Sequence, residues 1–142
     1  MNRIDTSLKV FIGLKRANDK LDKIVHKDIK SYGLNVTEFA VLELLYNRGE
    51  HTIQQIKKRI LIASSSTTYV ISNLEKKGYI KRRSDAKDKR VSYASLTDKG
   101  HSFMEDIFPK HAETIASVFS DLSEEALQDL QKTLKQISIT SD

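Results

Sequence analysis

With 142 residues, 39% of them hydrophobic, and only 5 glycines and 1 proline, the chain has the length for one real core and the composition of a mostly helical protein. It contains no cysteine, which excludes disulfides, thiolate metal sites and thiol redox switching within these residues. The net charge of +5 is unevenly spread: residues 1–75 carry 12 bases and 8 acids, residues 76–90 carry 8 and 2, and residues 91–142 carry 4 and 9. A basic middle and an acidic tail suit a molecule that turns one side towards a polyanion. The opening MNRIDTSLKVFIGLKRAND has no uninterrupted apolar run and no small-residue cleavage site, and no segment approaches a membrane span, so a cytoplasmic protein is expected.

From Thr6 to about Ser31, Val10, Phe11, Leu14, Ala17, Leu21, Ile24, Val25 and Ile29 recur at helical spacing. The helix they predict exceeds what a small domain needs for its own packing, so part of its stripe is expected to meet a second chain. After a turn at Tyr32 to Asn35, Thr37 is the expected N-cap of a second helix reaching about Asn47, with Phe39, Leu42, Leu45 and Tyr46 on its buried face. RGEH reads as a loop. Thr52 and Gln55 then match a capping box that opens a short third helix, with Ile53, Ile56 and Ile60 turned inward.

A short connection at Leu61 and Ile62 leads to a fourth helix. Stepped at about 100° per residue, Ala63, Thr67, Val70, Ile71 and Leu74 share one face, while Ser65, Thr68, Tyr69, Ser72 and Lys76 share the other. A face of hydroxyls and one lysine, with no carboxylate in its leading turns, can approach phosphates and base edges without repulsion. Gly78 is placed to end the helix as a left-handed cap. Strand-like runs at Tyr79–Arg83 and Val91–Thr97 flank a polar loop, which predicts a hairpin with a charged tip. A helix-turn-helix followed by such a hairpin is a winged module, and the expected fold is mainly α with a small β-hairpin wing.

The segments TEFAVLELLY, TIQQIKKRI and SSSTTYVISNLEKKGYIKRRSDAKDKRVSYASLTDKG resemble the MarR family of bacterial transcription regulators. DAKDKR, followed six residues later by LTDKG, resembles that family's D-x-R-D-x-R wing and L-T-x-x-G exit; Lys87 stands where the family usually has arginine, which keeps the charge and loses the planar fork. The resemblance implies a homodimer, with the fourth helix in the major groove of an operator and the wing in the minor groove. Arg90 would enter the minor groove, oriented by Asp88. Candidate DNA contacts are therefore Ser64, Ser65, Ser66, Thr68, Tyr69, Ser72, Lys76, Arg82, Lys87, Asp88, Lys89 and Arg90.

Thr97 can cap a further helix from Asp98, in which Pro109 is expected to introduce a kink or a break. Ser123 can cap a last helix with Glu124 and Glu125 in its first turn, carrying Leu127, Leu130, Leu134 and Ile137 at 3, 4, 3 spacing. Such a seam suits a dimer, so residues 1–34 and 98–142 are assigned to dimerisation and 35–97 to the winged domain. The family commonly binds small aromatic effectors between these regions, and Phe11, Leu14, Phe39 and Leu42 are the expected walls. FIGLKRA, TEFAVLELLY and DIFPKHAETI resemble the branch that answers quinones and phenolics. Without cysteine, such a compound would be sensed by non-covalent binding.

Rival chemistries find little support. No two of His26, His51, His101 and His111 have the close helical spacing of a zinc site, and no metal site is expected. SSST lacks a G-x-S-x-G elbow, and there is no glycine-rich phosphate loop, so neither enzymatic activity nor a cofactor is expected. The competing reading is a winged module whose wing binds an acidic protein; steep salt dependence with a preference for one duplex would separate the two.

Overall fold

A computed structural model describes residues 2–60 and 64–138, with the side chains of Ser64, Ser65 and Ser66 outside that description. The expected connection at Leu61 and Ile62, and the core-facing Ala63, fall outside it too. In chain order the described elements are α1 (Arg3–Ser31), α2 (Val36–Arg48), β1 (His51–Thr52), α3 (Ile53–Ile60), α4 (Ser64–Lys76), β2 (Ile80–Ser84), β3 (Ser92–Leu96), α5 (Asp98–Val118) and α6 (Glu124–Ser138).

α1 begins three residues before the expected start, because the Asn2 side chain accepts a hydrogen bond from the Asp5 amide at 2.8 Å and caps the first turn. The cap of α2 is Asn35 and not Thr37. Asn35 and Glu38 form a reciprocal box, the Glu38 amide donating to Asn35 Oδ1 at 2.8 Å and the Asn35 amide to Glu38 Oε1 at 3.0 Å. Thr37 lacks an acid or amide three residues on to complete such a pair. The expected box at Thr52 and Gln55 is present, with reciprocal bonds of 3.1 and 2.9 Å.

RGEH is only partly loop. His51 and Thr52 pair antiparallel with Ala94 and Tyr93, giving a three-stranded sheet in the order β1-β3-β2. The hairpin itself is in register from Ile80 opposite Leu96 to Ser84 opposite Ser92.

The core gathers around α2. Val41 and Leu42 are fully enclosed, and so are Ile56 from α3, Ile71 and Leu74 from α4, Ala94 from β3 and Met104 from α5. α5 runs unbroken through Pro109; that residue is exposed, where solvent can take up the carbonyl that proline leaves unpaired. The first half of α1 lies outside this core, with Ile4, Leu8, Val10, Phe11 and Ile12 all exposed.

Two motifs join α4, the hairpin and α5. α4 ends at Gly78 (φ 83°) with the Tyr79 amide donating to the Leu74 carbonyl and the Gly78 amide to that of Glu75, both at 3.0 Å. The LTDKG run then closes the joint. The Thr97 amide donates to the Tyr79 carbonyl at 3.0 Å, its hydroxyl donates to the Gly78 carbonyl, and the same hydroxyl accepts from the Gly100 amide. Lys99 Nζ donates to the Lys77 carbonyl at 2.8 Å. A side chain at Gly100 would sit 2.0 Å from the Tyr79 carbonyl oxygen, so only glycine permits this approach.

Candidate nucleic-acid interface

The two faces of α4 separate as its periodicity requires. Thr67, Val70, Ile71 and Leu74 are buried, whereas Thr68 and Lys76 are exposed and Tyr69 is 68% exposed. Ser72 is half-buried because its hydroxyl accepts from Arg82 Nη2 at 2.8 Å, and the same nitrogen lies 3.3 Å from Glu75 Oε1. Arg82 thus ties the reading helix to the wing. Two of the expected DNA contacts are thereby engaged with each other.

Half of the basic run is held by the protein's own acids. Lys77 pairs with the buried Glu38 at 2.8 Å, bracing the end of α4 against the start of α2. Arg83 makes a two-pronged contact with Glu50, 2.7 and 3.1 Å, and stacks over the Tyr93 ring 4.2 Å from its centre. Hydrogen bonding from Arg83 holds the Glu50 carboxyl below its usual range, and Glu50 raises the guanidinium in return. Among the described residues, Lys76, Lys81, Lys87 and Lys89 are exposed and make no ion pair. Within the run between Lys76 and Arg90, these four and the wing tip are the cations left available to a polyanion.

At the tip, Asp85 Oδ2 accepts from the amides of Lys87 and Asp88, and Asp88 Oδ1 accepts from the amide and the Nε of Arg90. Arg90 Nη2 donates to the other Asp88 oxygen at 3.2 Å. Asp88 therefore grips the guanidinium while leaving 91% of the Arg90 side chain in solvent. The side-chain bond from Arg90, then the one from its amide, hold the Asp88 carboxyl below its usual range. An oriented, outward arginine on a narrow hairpin has the shape that a narrow minor groove accepts. The acids that do this work, Glu38, Glu50 and Glu75, escaped the sequence reading. In sequence only Glu75 adjoins the basic run; Glu38 and Glu50 lie 39 and 33 residues from their partners.

The four expected pocket walls are not brought together within one subunit. Phe39 and Leu42 lie in the core, Phe39 against the His111 ring at 4.5 Å, whereas Phe11 is 60% and Leu14 38% exposed on α1. A cavity of about 730 Å³ lies elsewhere along α1 and the start of α2, lined by His26, Lys27, Lys30, Leu34, Asn35 and Val36 among others.

Beside it is a buried polar joint between α1 and α5. Asp28 accepts from the Tyr32 hydroxyl at 2.7 Å and the Thr114 hydroxyl at 3.3 Å, and lies 2.8 Å from His111 Nδ1. Burial first, then the bond to Asp28, pushes the Tyr32 phenol up to about 12. Among the described residues, no three His, Cys, Asp or Glu side chains are grouped to hold a metal ion.

On α6, Leu127 and Leu130 are half-buried, and Leu134 and Ile137 are 39% and 60% exposed. Ile137 shares a groove with Asn2, Arg3, Thr6, Ser7 and Val10, so the end of α6 lies beside the start of α1.

A helix-turn-helix with its reading face outward, braced to a wing that carries an oriented arginine, defines a winged-helix DNA-binding protein. A MarR family model matches residues 34–92. The HTH-type transcriptional regulator MhqR of Bacillus subtilis is 44% identical over 137 residues, covering 96% of this chain and 94% of that protein. The chain belongs to the MarR family of transcriptional regulators, and it is not an enzyme. The fold matches Sco3205 of Streptomyces coelicolor, solved in complex with DNA, with TM-score 0.83, 22% identity and coverage of 97% and 88%. It also matches Bordetella bronchiseptica BpsR, whose DNA binding is described as regulated by 6-hydroxynicotinic acid, with TM-score 0.80, 23% identity and coverage of 92% and 99%.

Proposed function

We propose that this regulator acts in the cytoplasm as a homodimeric repressor of a pseudo-palindromic operator, and that a small aromatic compound releases it. The single observation that carries the DNA reading is the wing tip, where Asp88 presents a solvent-exposed Arg90 on a wing that Arg82 ties to a helix free of carboxylates in its first turn. Two such heads, held by residues 1–34 and 98–142 of each subunit, would engage half-sites about one helical turn apart. In support of the dimer, α1 exposes Ile4, Leu8, Phe11 and Ile12 and α6 exposes Leu134 and Ile137, apolar surface that a monomer would leave in water, with Leu127, Leu130, Leu134 and Ile137 as the proposed seam.

The effector is proposed to be of quinone or phenolic type and to bind non-covalently, since the chain has no cysteine. Regulation of BpsR by a hydroxylated aromatic acid supports the class; Phe11 and Leu14 remain proposed walls once a second subunit covers α1, whereas Phe39 and Leu42 are already enclosed in the core. A compound that binds better to a mismatched spacing of the two heads would release DNA by population shift. Selection of duplexes from a random pool, repeated with quinones, phenols and unrelated compounds, tests all of this. An inverted repeat should emerge and be lost with the aromatic class; a repeat that only another class dissolves removes the effector proposal.

A further inference from the structure

We infer that Tyr69 reads sequence in the major groove by packing its ring against the 5-methyl group of a thymine. This rests on the proposed DNA reading and narrows it to one side chain and one chemical group. From Ser64 to Ser72 the reading helix offers only serine, threonine, tyrosine, valine and isoleucine, and Val70 and Ile71 are buried. The paired hydrogen bonds that distinguish guanine or adenine need Arg, Lys, Asn or Gln, and none stands in that stretch. The first amide side chain, Asn73, lies a full turn beyond Tyr69 and is half-buried.

Of the remaining polar groups, Ser72 already accepts from Arg82, and Arg82 is itself braced by Glu75. Lys76 is the last residue of the helix, suited to a phosphate and not to a base. Thr68 is exposed but short. Tyr69 is the largest exposed group of the described reading face, an aromatic ring left 68% in water at a cost that a partner would recover. In the major groove the thymine methyl is the apolar group available to receive it.

The test uses the full-length protein and the selected operator, with each thymine replaced in turn by deoxyuridine, which removes the methyl and keeps every hydrogen-bonding group. At one thymine per half-site the wild type should lose affinity about fourfold, and about fifteenfold when both half-sites are changed, the size expected for one buried methyl each. Tyr69→Phe should keep this sensitivity and Tyr69→Ala should abolish it. Because Tyr69 is exposed, both variants should retain the wild-type fold by circular dichroism. A wild type indifferent to every deoxyuridine, or a loss that persists unchanged in Tyr69→Ala, overturns the inference while leaving DNA binding intact. A uniform weakening on all duplexes in Tyr69→Phe would also overturn it, since the hydroxyl would then be a phosphate contact. If no duplex is selected at all, the DNA reading falls and takes this inference with it.

Discussion

Gly100→Ala should destabilise the protein, although the same change within an ordinary helix stabilises by up to about 1 kcal/mol. The new methyl carbon would lie 2.0 Å from the Tyr79 carbonyl oxygen, 2.9 Å from its carbon and 3.1 Å from its Cα, and all three are backbone atoms that no rotamer change can move. α5 and the entry to β2 must therefore separate by about 1 Å to bring the closest contact to 3.0 Å. Overpacking of this kind costs about 1–3 kcal/mol. The separation also stretches the bond from the Thr97 amide to the same carbonyl and the one from Lys99 to the Lys77 carbonyl, which contribute about 1 kcal/mol each. The balance is a loss of about 2 kcal/mol, or roughly 1 M in the urea midpoint at unchanged slope. Urea unfolding followed by circular dichroism at one fixed protein concentration measures it. A midpoint equal to or above that of the wild type would refute the account of the L-T-x-x-G run as a close-packed joint.

Asp28→Ala removes the shared acceptor of Tyr32, Thr114 and His111 and should cost about 3 kcal/mol in the same assay. The Tyr32 phenol should then ionise below its value of about 12 but stay above the ordinary range, because burial is the larger cause; an ultraviolet titration that shows no change would contradict the assignment. At the wing, the Asp88 carboxyl is depressed in the folded state, so its pairing with Arg90 is fully present above the ordinary carboxylate range and is lost as pH falls through the lowered value. Carboxyl-carbon NMR should place Asp88 below its usual range in the wild type and nearer to that range in Arg90→Ala, which loses the side-chain bond and keeps the amide bond; an unchanged Asp88 would contradict the pairing. Leu130→Asp puts a carboxylate into the proposed seam of each subunit and should raise the dimer dissociation constant by about a hundredfold, the equivalent of about 3 kcal/mol. Sedimentation at several concentrations reads this directly, and an undisturbed dimer would move the interface away from α6.

What repeats along the chain was legible; what joins distant segments was not. Helical periodicity exposed the two faces of α4, and the burial of Thr67, Val70, Ile71 and Leu74 against the exposure of Thr68 and Tyr69 follows it. Gly78 was readable because only one backbone region ends a helix so sharply. β1 was hidden because a two-residue strand has no period, and Thr52 serves both the strand and the next helix's cap. Thr37 looked like a cap in isolation, but Asn35 has Glu38 three residues on, and the pair outweighs the single residue. The run of eight bases between Lys76 and Arg90 read as one electrostatic footprint, whereas Glu38, Glu50, Glu75 and Asp88 hold four of its members in the fold. Asp88, two residues from Arg90, was expected from the wing motif, whereas Glu38 and Glu50 lie 39 and 33 residues from their partners, and no local pattern announces them.

The four unpaired lysines of the basic run and Arg90 of each subunit are proposed to form the DNA-binding clamp. The most direct measurement is operator affinity against salt concentration for the wild type and Arg90→Ala. Five cations from each of two subunits predict a logarithmic slope of roughly −9, since each phosphate contact contributes about −0.9. Arg90→Ala should make the slope shallower by about 2 per dimer and bind more weakly at every salt concentration. A wild-type slope near zero, or an Arg90→Ala variant with unchanged slope and affinity, would contradict the claim.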